Sequence, residues 1–181
     1  MANQPERLLP GRGPDGRPRR GRGRKPRQPA PATATTPKPN PIARTAIKYA
    51  CGMRGLPYVW GGNGPDGGHT GFDCSGLTKA AYAAAGFTLP RTAQTQYDTG
   101  PHIFAGQPLL PGDLVFYGTP GNIHHVGFCI GNGLMVDAPD FGQVVKIEPY
   151  RYNGDDYAGA TRPAGTVRAT VSRTHDRFRA T

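Results

Sequence analysis

From residue 42 onward the apolar positions follow first a helical and then a strand-like period. Ala43, Ala46, Ile47 and Ala50 recur at helical spacing, and Gly55 followed by Pro57 stops the run, so a helix is predicted over residues 42–54. Tyr58-Val59-Trp60 reads as a short extended piece entering a glycine-rich loop, Gly61 to Gly71. A second helix is predicted over residues 73–85, with Leu77, Ala80, Ala81 and Ala84 as its apolar stripe and Gly86 as its stop. After Pro111-Gly112-Asp113 the pattern shortens to strands over 114–117, 124–130, 134–138 and 144–148, with Gly131-Asn132-Gly133 as a hairpin turn. Helices first and consecutive strands later indicate an α+β domain with an antiparallel sheet.

Composition limits this pattern to the middle of the chain. Gly and Pro together are 47 of 181 residues, and ten of the twenty prolines fall between Pro5 and Pro41. The formal charge of +10 divides into +8 over residues 1–40, −2 over 41–160 and +4 over 161–181. The basicity therefore belongs to the ends. The run Arg17 to Arg27 is nearly all Arg, Gly, Lys and Pro, too poor in apolar groups to offset its ordering entropy. The expectation is a disordered basic tail over 1–41, one compact domain over 42–162 and a second basic tail over 163–181.

No apolar run reaches the length of a membrane helix. The first thirty residues contain no secretory apolar segment; Arg19-Arg20 resembles a twin-arginine start, but Gly-Arg-Gly-Arg-Lys-Pro follows it. Cys51, Cys74 and Cys129 are an odd number without metal-site spacing, which argues against a disulfide framework and a zinc site. The glycine loop lacks the Lys-Ser/Thr of a phosphate cradle.

Three residues can carry chemistry together. Cys74 stands at the start of the second helix, where the macrodipole and unpaired backbone N–H groups favour the thiolate, with Gly67, Gly68 and Gly71 upstream to let a substrate approach. In the second strand His124, Val126, Phe128 and Ile130 share one face, and His125, Gly127 and Cys129 the other. The small residues of the second face leave room for a helix end to approach His125, whereas parity sends His124, the rival base, to the apolar face. If the turn pairs Ile130 with Leu134, Asp137 falls diagonal to His125 on the same face and can orient its imidazole. A slip of one residue would remove that contact.

These residues lie in a longer series of motifs. Tyr58-Val59-Trp60-Gly61-Gly62 and Phe72-Asp73-Cys74-Ser75-Gly76-Leu77 are followed by Leu89-Pro90-Arg91, Pro111-Gly112-Asp113-Leu114-Val115-Phe116, His125-Val126-Gly127 and Met135-Val136-Asp137-Ala138-Pro139. In this order they resemble the NlpC-type cell-wall cysteine peptidases, over roughly residues 43–150. The resemblance implies a papain-like fold, with the cysteine helix packed on the histidine sheet. It implies hydrolysis of peptide bonds in peptidoglycan stem peptides, often between D-glutamate and the diamino acid, through Cys74 as nucleophile and His125 as general base. It also implies that Tyr58, Asp73 and Ser75 line the substrate site, where an anionic residue suits a free amine. The family's third residue is most often histidine. Here the matching position is Asp137, retained as the third member because a carboxylate orients an imidazole electrostatically.

Neither a metal nor an organic cofactor is called for, and a monomer is expected. Two other readings compete. Amidases and acyltransferases use the same architecture with a different acyl donor, and a basic-tailed module can bind nucleic acid or an anionic cell-wall polymer with little specificity. The implied substrate places the protein at the bacterial cell wall or outside the cell. A phage virion, or the cytoplasm before release, is the alternative given the missing export segment.

Overall fold

The computed structural model describes residues 40–165, so nearly all of both basic segments lies outside the described residues. Three helices precede a five-stranded antiparallel sheet. Helix α1 spans Pro41–Gly52, α2 Cys74–Ala84 and α3 Ala93–Thr99; the strands are β1 (Leu114–Thr119), β2 (Asn122–Gly131), β3 (Leu134–Asp137), β4 (Lys146–Pro149) and β5 (Tyr157–Thr161). Their spatial order is β4-β3-β2-β1-β5. An α+β fold with helices against an antiparallel sheet is thus observed as expected.

Helix α1 begins one residue before the expected domain boundary. Pro41 suits the first helical position because it lacks an N–H that would go unpaired there, and Asn40 caps the helix by accepting from Ile42 N at 2.9 Å. The Asn40 amide also donates to the Ala164 carbonyl at 2.7 Å, which ties the two ends of the described unit together.

One face of the sheet is the main core. Ala46 and Ala50 of α1 and Leu77 and Ala81 of α2 pack with Phe116, Val126, Phe128 and Val136. Fully buried Tyr82 lies in the same core and donates its hydroxyl to the Gly112 carbonyl at 2.5 Å. The other face carries Val115, Tyr117, Cys129, Met135 and Ala160.

Asn132 (φ 55°) and Gly133 (φ 75°) form the two-residue hairpin loop between β2 and β3, both in the conformation such turns require. The expected register is present at Cys129↔Met135 and Phe128↔Val136, but Gly131 rather than Ile130 pairs with Leu134, so Ile130 is bulged. A second irregularity falls at His124: Tyr117 pairs with His125 and Gly118 with Ile123. Extrusion of His124 corrects the parity expectation for that residue. It is exposed, not on the apolar face, and Ile123 is buried in its place.

Two elements were not anticipated. Helix α3 (Ala-Gln-Thr-Gln-Tyr-Asp-Thr) puts only Ala93 and Tyr97 against the core and is held as well by polar groups. Thr92 and Thr95 form a capping box, and buried Gln96 accepts from Thr78 Oγ1 at 2.7 Å while donating to the Ser75 and Pro90 carbonyls at 3.0 Å. Strand β5 contains Gly159, pairs with β1 and bridges from Thr161 to His102. It leads into Arg162, whose guanidinium grips buried Asp113 through two contacts of 2.7 and 2.8 Å. The fourth strand starts two residues later than expected because Val144 bridges to Pro57 instead.

Candidate active site

Asp73 builds the start of α2. Its extended backbone and side chain make it the N-cap: Oδ1 accepts from Gly76 N at 2.6 Å, and its carbonyl accepts from Leu77 N at 3.0 Å. The N–H groups of Cys74 and Ser75 are therefore the first-turn donors left for something outside the helix. The glycine loop packs against this end. Asp73 N donates to the Gly62 carbonyl at 3.2 Å, and a Cβ at Gly71 would stand 1.8 Å from the Pro57 carbonyl oxygen. Gly71 thus serves backbone packing, which corrects the expectation that it opens the way for a substrate.

Cys74 is buried and stands close enough to the His125 imidazole to act on its pKa. The other side of that ring faces Asp137, with Nε2 to Oδ2 at 3.0 Å. Nε2 being occupied, Nδ1 is the ring nitrogen available to the sulfur. Burial alone would lower the His125 pKa. Hydrogen bonds to Asp137 and Cys74, together with their negative charges, outweigh it and push the imidazole from 6.5 up to about 10. The pair therefore holds His125 protonated at neutral pH. Asp137 itself is fully buried.

The approach to His125 differs from expectation. The small residues on its face do not leave an open path, because a Cβ at Gly127 would stand 2.3 Å from Met135 Sδ. Leu77 and Ala81 of α2 pack with Val126 and Phe128 on the opposite face of the strand. His124 is engaged elsewhere, its Nε2 lying 2.7 Å from Asp156 Oδ2.

Tyr58, Asp73 and Ser75 surround the helix start in different ways. The Tyr58 hydroxyl is pushed up to about 12 by burial and by the negative charges of Cys74, Asp73 and Asp140, opposed by Arg91. Beyond it Phe141 packs edge-on to Tyr58 at 5.1 Å and stacks on Trp60 at 6.3 Å, leaving an exposed aromatic wall. Asp73 is not a free anion. Arg91 grips it through Nη1–Oδ1 at 3.0 Å and Nη2–Oδ2 at 2.7 Å, and also donates to Ser75 Oγ at 3.0 Å. In the sequence Arg91 stands out only as part of Leu89-Pro90-Arg91; a lone cation eighteen residues from its partner gives no periodic signal. Replacing Arg91 by Ala is expected to lower stability by about 2 kcal/mol, the scale of a lost charged hydrogen-bond pair. Arg91→Lys should recover part of it. Thermal unfolding of the two variants checks this, and an unchanged Tm in Arg91→Ala would contradict it.

Among the described residues no three His, Cys, Asp or Glu side chains converge on a metal position, and no helix is long and apolar enough to cross a membrane.

The model of the NlpC/P60 family matches residues 55–162. The probable endopeptidase p60 of Listeria monocytogenes is 50% identical over 88 residues, 49% of this chain and 17% of that protein. The bifunctional muramidase/DL-endopeptidase CwlT of Bacillus subtilis is 46% identical over 101 residues, 54% of this chain and 30% of that one. The peptidoglycan endopeptidase RipA of Mycobacterium tuberculosis is 38% identical over 117 residues, 60% of this chain and 24% of that protein. The chain thus spans less than a third of the length of each of these relatives. A solved structure of RipA altered at a histidine superposes with a TM-score of 0.59 at 35% identity, covering 67% of this chain and 62% of that one. RipA has also been solved with a cysteine or a glutamate altered; its glutamate follows its histidine by 12 positions, the interval between His125 and Asp137.

Proposed function

The chain belongs to the NlpC/P60 family, and from that premise we propose that it is a cysteine peptidase that hydrolyses peptidoglycan stem peptides at the cell wall through Cys74, His125 and Asp137. The observation that carries this reading is the 3.0 Å contact of His125 with buried Asp137, on an imidazole whose pKa Cys74 also raises. The identity of the relatives and the shared 12-residue interval support it.

In the proposed reaction Asp137 orients the imidazole and balances its positive charge, so that Cys74 reacts as the thiolate of an ion pair. The thiolate attacks the scissile carbonyl. The N–H groups of Cys74 and Ser75 at the positive end of α2 stabilise the oxyanion. The imidazolium then gives its proton to the leaving amine, and a thioester to Cys74 remains. Water, deprotonated by the now neutral imidazole, attacks the thioester and releases the acid. Tyr58 faces the acyl half of the substrate. Asp73 and Ser75 line the same side in a form neutralised by Arg91, so this side does not demand a free amine. The bond favoured is that between D-glutamate, through its γ-carboxyl, and the following diamino acid, consistent with CwlT's description as a DL-endopeptidase.

Mass spectrometry of purified peptidoglycan and defined stem peptides after incubation with the protein tests this reading. New fragments ending in γ-linked D-glutamate are expected. Intact substrate across pH about 5 to 8, the range in which an ordinary histidine titrates, would overturn it.

A further inference from the structure

Ser75 is held from outside its own helix at two points. Its hydroxyl meets the Arg91 guanidinium, Nη1 to Oγ at 3.0 Å, while the same guanidinium grips the Asp73 carboxylate at 3.0 and 2.7 Å. Its carbonyl accepts from the Gln96 amide at 3.0 Å and lies 3.0 Å from Thr78 Oγ1. The peptide that follows is fixed at its other end as well, because Gly76 N donates to Asp73 Oδ1 at 2.6 Å. The two outside contacts are themselves joined. Gln96 also donates to the carbonyl of Pro90, the residue before Arg91, at 3.0 Å, and its oxygen accepts from Thr78 Oγ1 at 2.7 Å.

Gln96 is 1% exposed and Ser75 5%. Burying an amide costs free energy that an apolar side chain of the same shape avoids, and its hydrogen bonds add little net stability beyond offsetting that cost. What they add is direction. Each side-chain bond of Gln96 ends on Ser75, on Thr78 one turn further along α2, or on the segment that carries Arg91. Ser75 directly follows Cys74, and its N–H is one of the first-turn donors that α2 leaves unpaired. With its hydroxyl and its carbonyl both anchored, the Ser75 backbone cannot rotate without breaking a contact, so that N–H keeps one direction.

We infer that Gln96, together with Arg91, is a positioning residue for the proposed reaction: the pair clamps Ser75 so that the Cys74 and Ser75 N–H groups are aimed at the oxyanion before substrate arrives. Gln96 is buried behind Ser75 and acts only through it. Preorganised donors act on the charge that develops in the transition state, not on the bound substrate. The clamp therefore governs kcat and leaves KM alone. This inference rests on the peptidase reading above.

Gln96→Met keeps the approximate volume and removes both the donors and the acceptor. Hydrolysis of a defined stem peptide by the full-length variant should show kcat lowered about tenfold to a hundredfold, the scale of misdirected groups around a reacting centre. KM should stay within about twofold of the parent value. The unfolding midpoint, measured alongside, shows whether the variant is folded at the assay temperature. Gln96→Glu is the second variant. Its neutral carboxyl still donates to one carbonyl, whereas its ionised form repels both. Its kcat should fall with rising pH along a limb the parent lacks, at unchanged circular dichroism. Arg91→Lys combined with Gln96→Met should lose less than the product of the separate losses, since both act through Ser75. A folded Gln96→Met protein with the parent kcat, a loss confined to KM, a Gln96→Glu profile of the parent shape, or losses that multiply would overturn the positioning role and spare the peptidase. A parent enzyme that cleaves no stem peptide sinks the peptidase reading and this inference with it.

Discussion

Replacing Cys74 by alanine is expected to leave no detectable hydrolysis of stem peptides, a loss of about 10⁴-fold or more, as for other enzymes stripped of their nucleophile. The substitution removes one sulfur from a nearly buried position and keeps the helix start, because the cap belongs to Asp73 and the first-turn donors to the backbone. Circular dichroism and the unfolding midpoint should therefore stay close to those of the parent. The other two cysteines are the internal control. Cys129 is buried in β2, and burial raises its thiol pKa; Cys51 is half-buried on α1, where burial again raises it, opposed by Arg54. Alanine at either position should spare cleavage. Residual fragments from a folded Cys74→Ala protein would remove Cys74 from the mechanism.

Asp137→Ala is expected to lower kcat by about a hundredfold or more, the scale of a lost acid–base partner. Asp137→Asn should recover part of that loss, because an amide oxygen still accepts from Nε2–H and keeps the ring oriented. What the amide cannot restore is the charge. His125 is held at about 10 against an ordinary 6.5, so the alkaline limb of the kcat profile should move down in pH in both variants. The sign for stability follows from the same shift. A folded-state pKa above the unfolded one stabilises the fold below about 6.5, and that contribution disappears as pH rises through about 10. The difference in unfolding free energy between parent and Asp137→Ala should therefore shrink from pH 7 to pH 10. A recovered kcat with an unmoved alkaline limb in Asp137→Asn would mean that orientation alone matters.

Much of the site was legible because it is written locally. The Asp73-Cys74-Ser75-Gly76 turn couples an N-cap, a first-turn thiol and a close-packed glycine within four residues, and the Leu77–Ala81 stripe declares the helix behind it. His125 and Asp137 share a face because the β2–β3 register past the Ile130 bulge is the one their alternation implies. His124 shows the limit of this logic. Strict alternation hides it in the core, but a bulge opposite Tyr117 and Gly118 extrudes it toward Asp156. A bulge adds one residue to one strand only, and nothing in His124-His125 says which will be skipped. Helix α3 is not legible in the sequence because its apolar contacts are only Ala93 and Tyr97, and much of its anchoring is the hydrogen bonding of Gln96 to residues 75, 78 and 90. Strand β5 was invisible because Tyr-Ala-Gly-Ala-Thr has little strand propensity and depends on β1 for its partner.

Local rules suffice for the α+β order, for the helix that starts at Cys74 and for the parity that brings His125 and Asp137 to one face, since each rests on a period of two or 3.6 residues or on a turn. That Arg91 neutralises Asp73, and that Asp137 keeps one oxygen unpartnered, emerges from packing alone. Those outcomes depend on pairings between distant segments, whose free energy is realised only when the sheet and helices have packed.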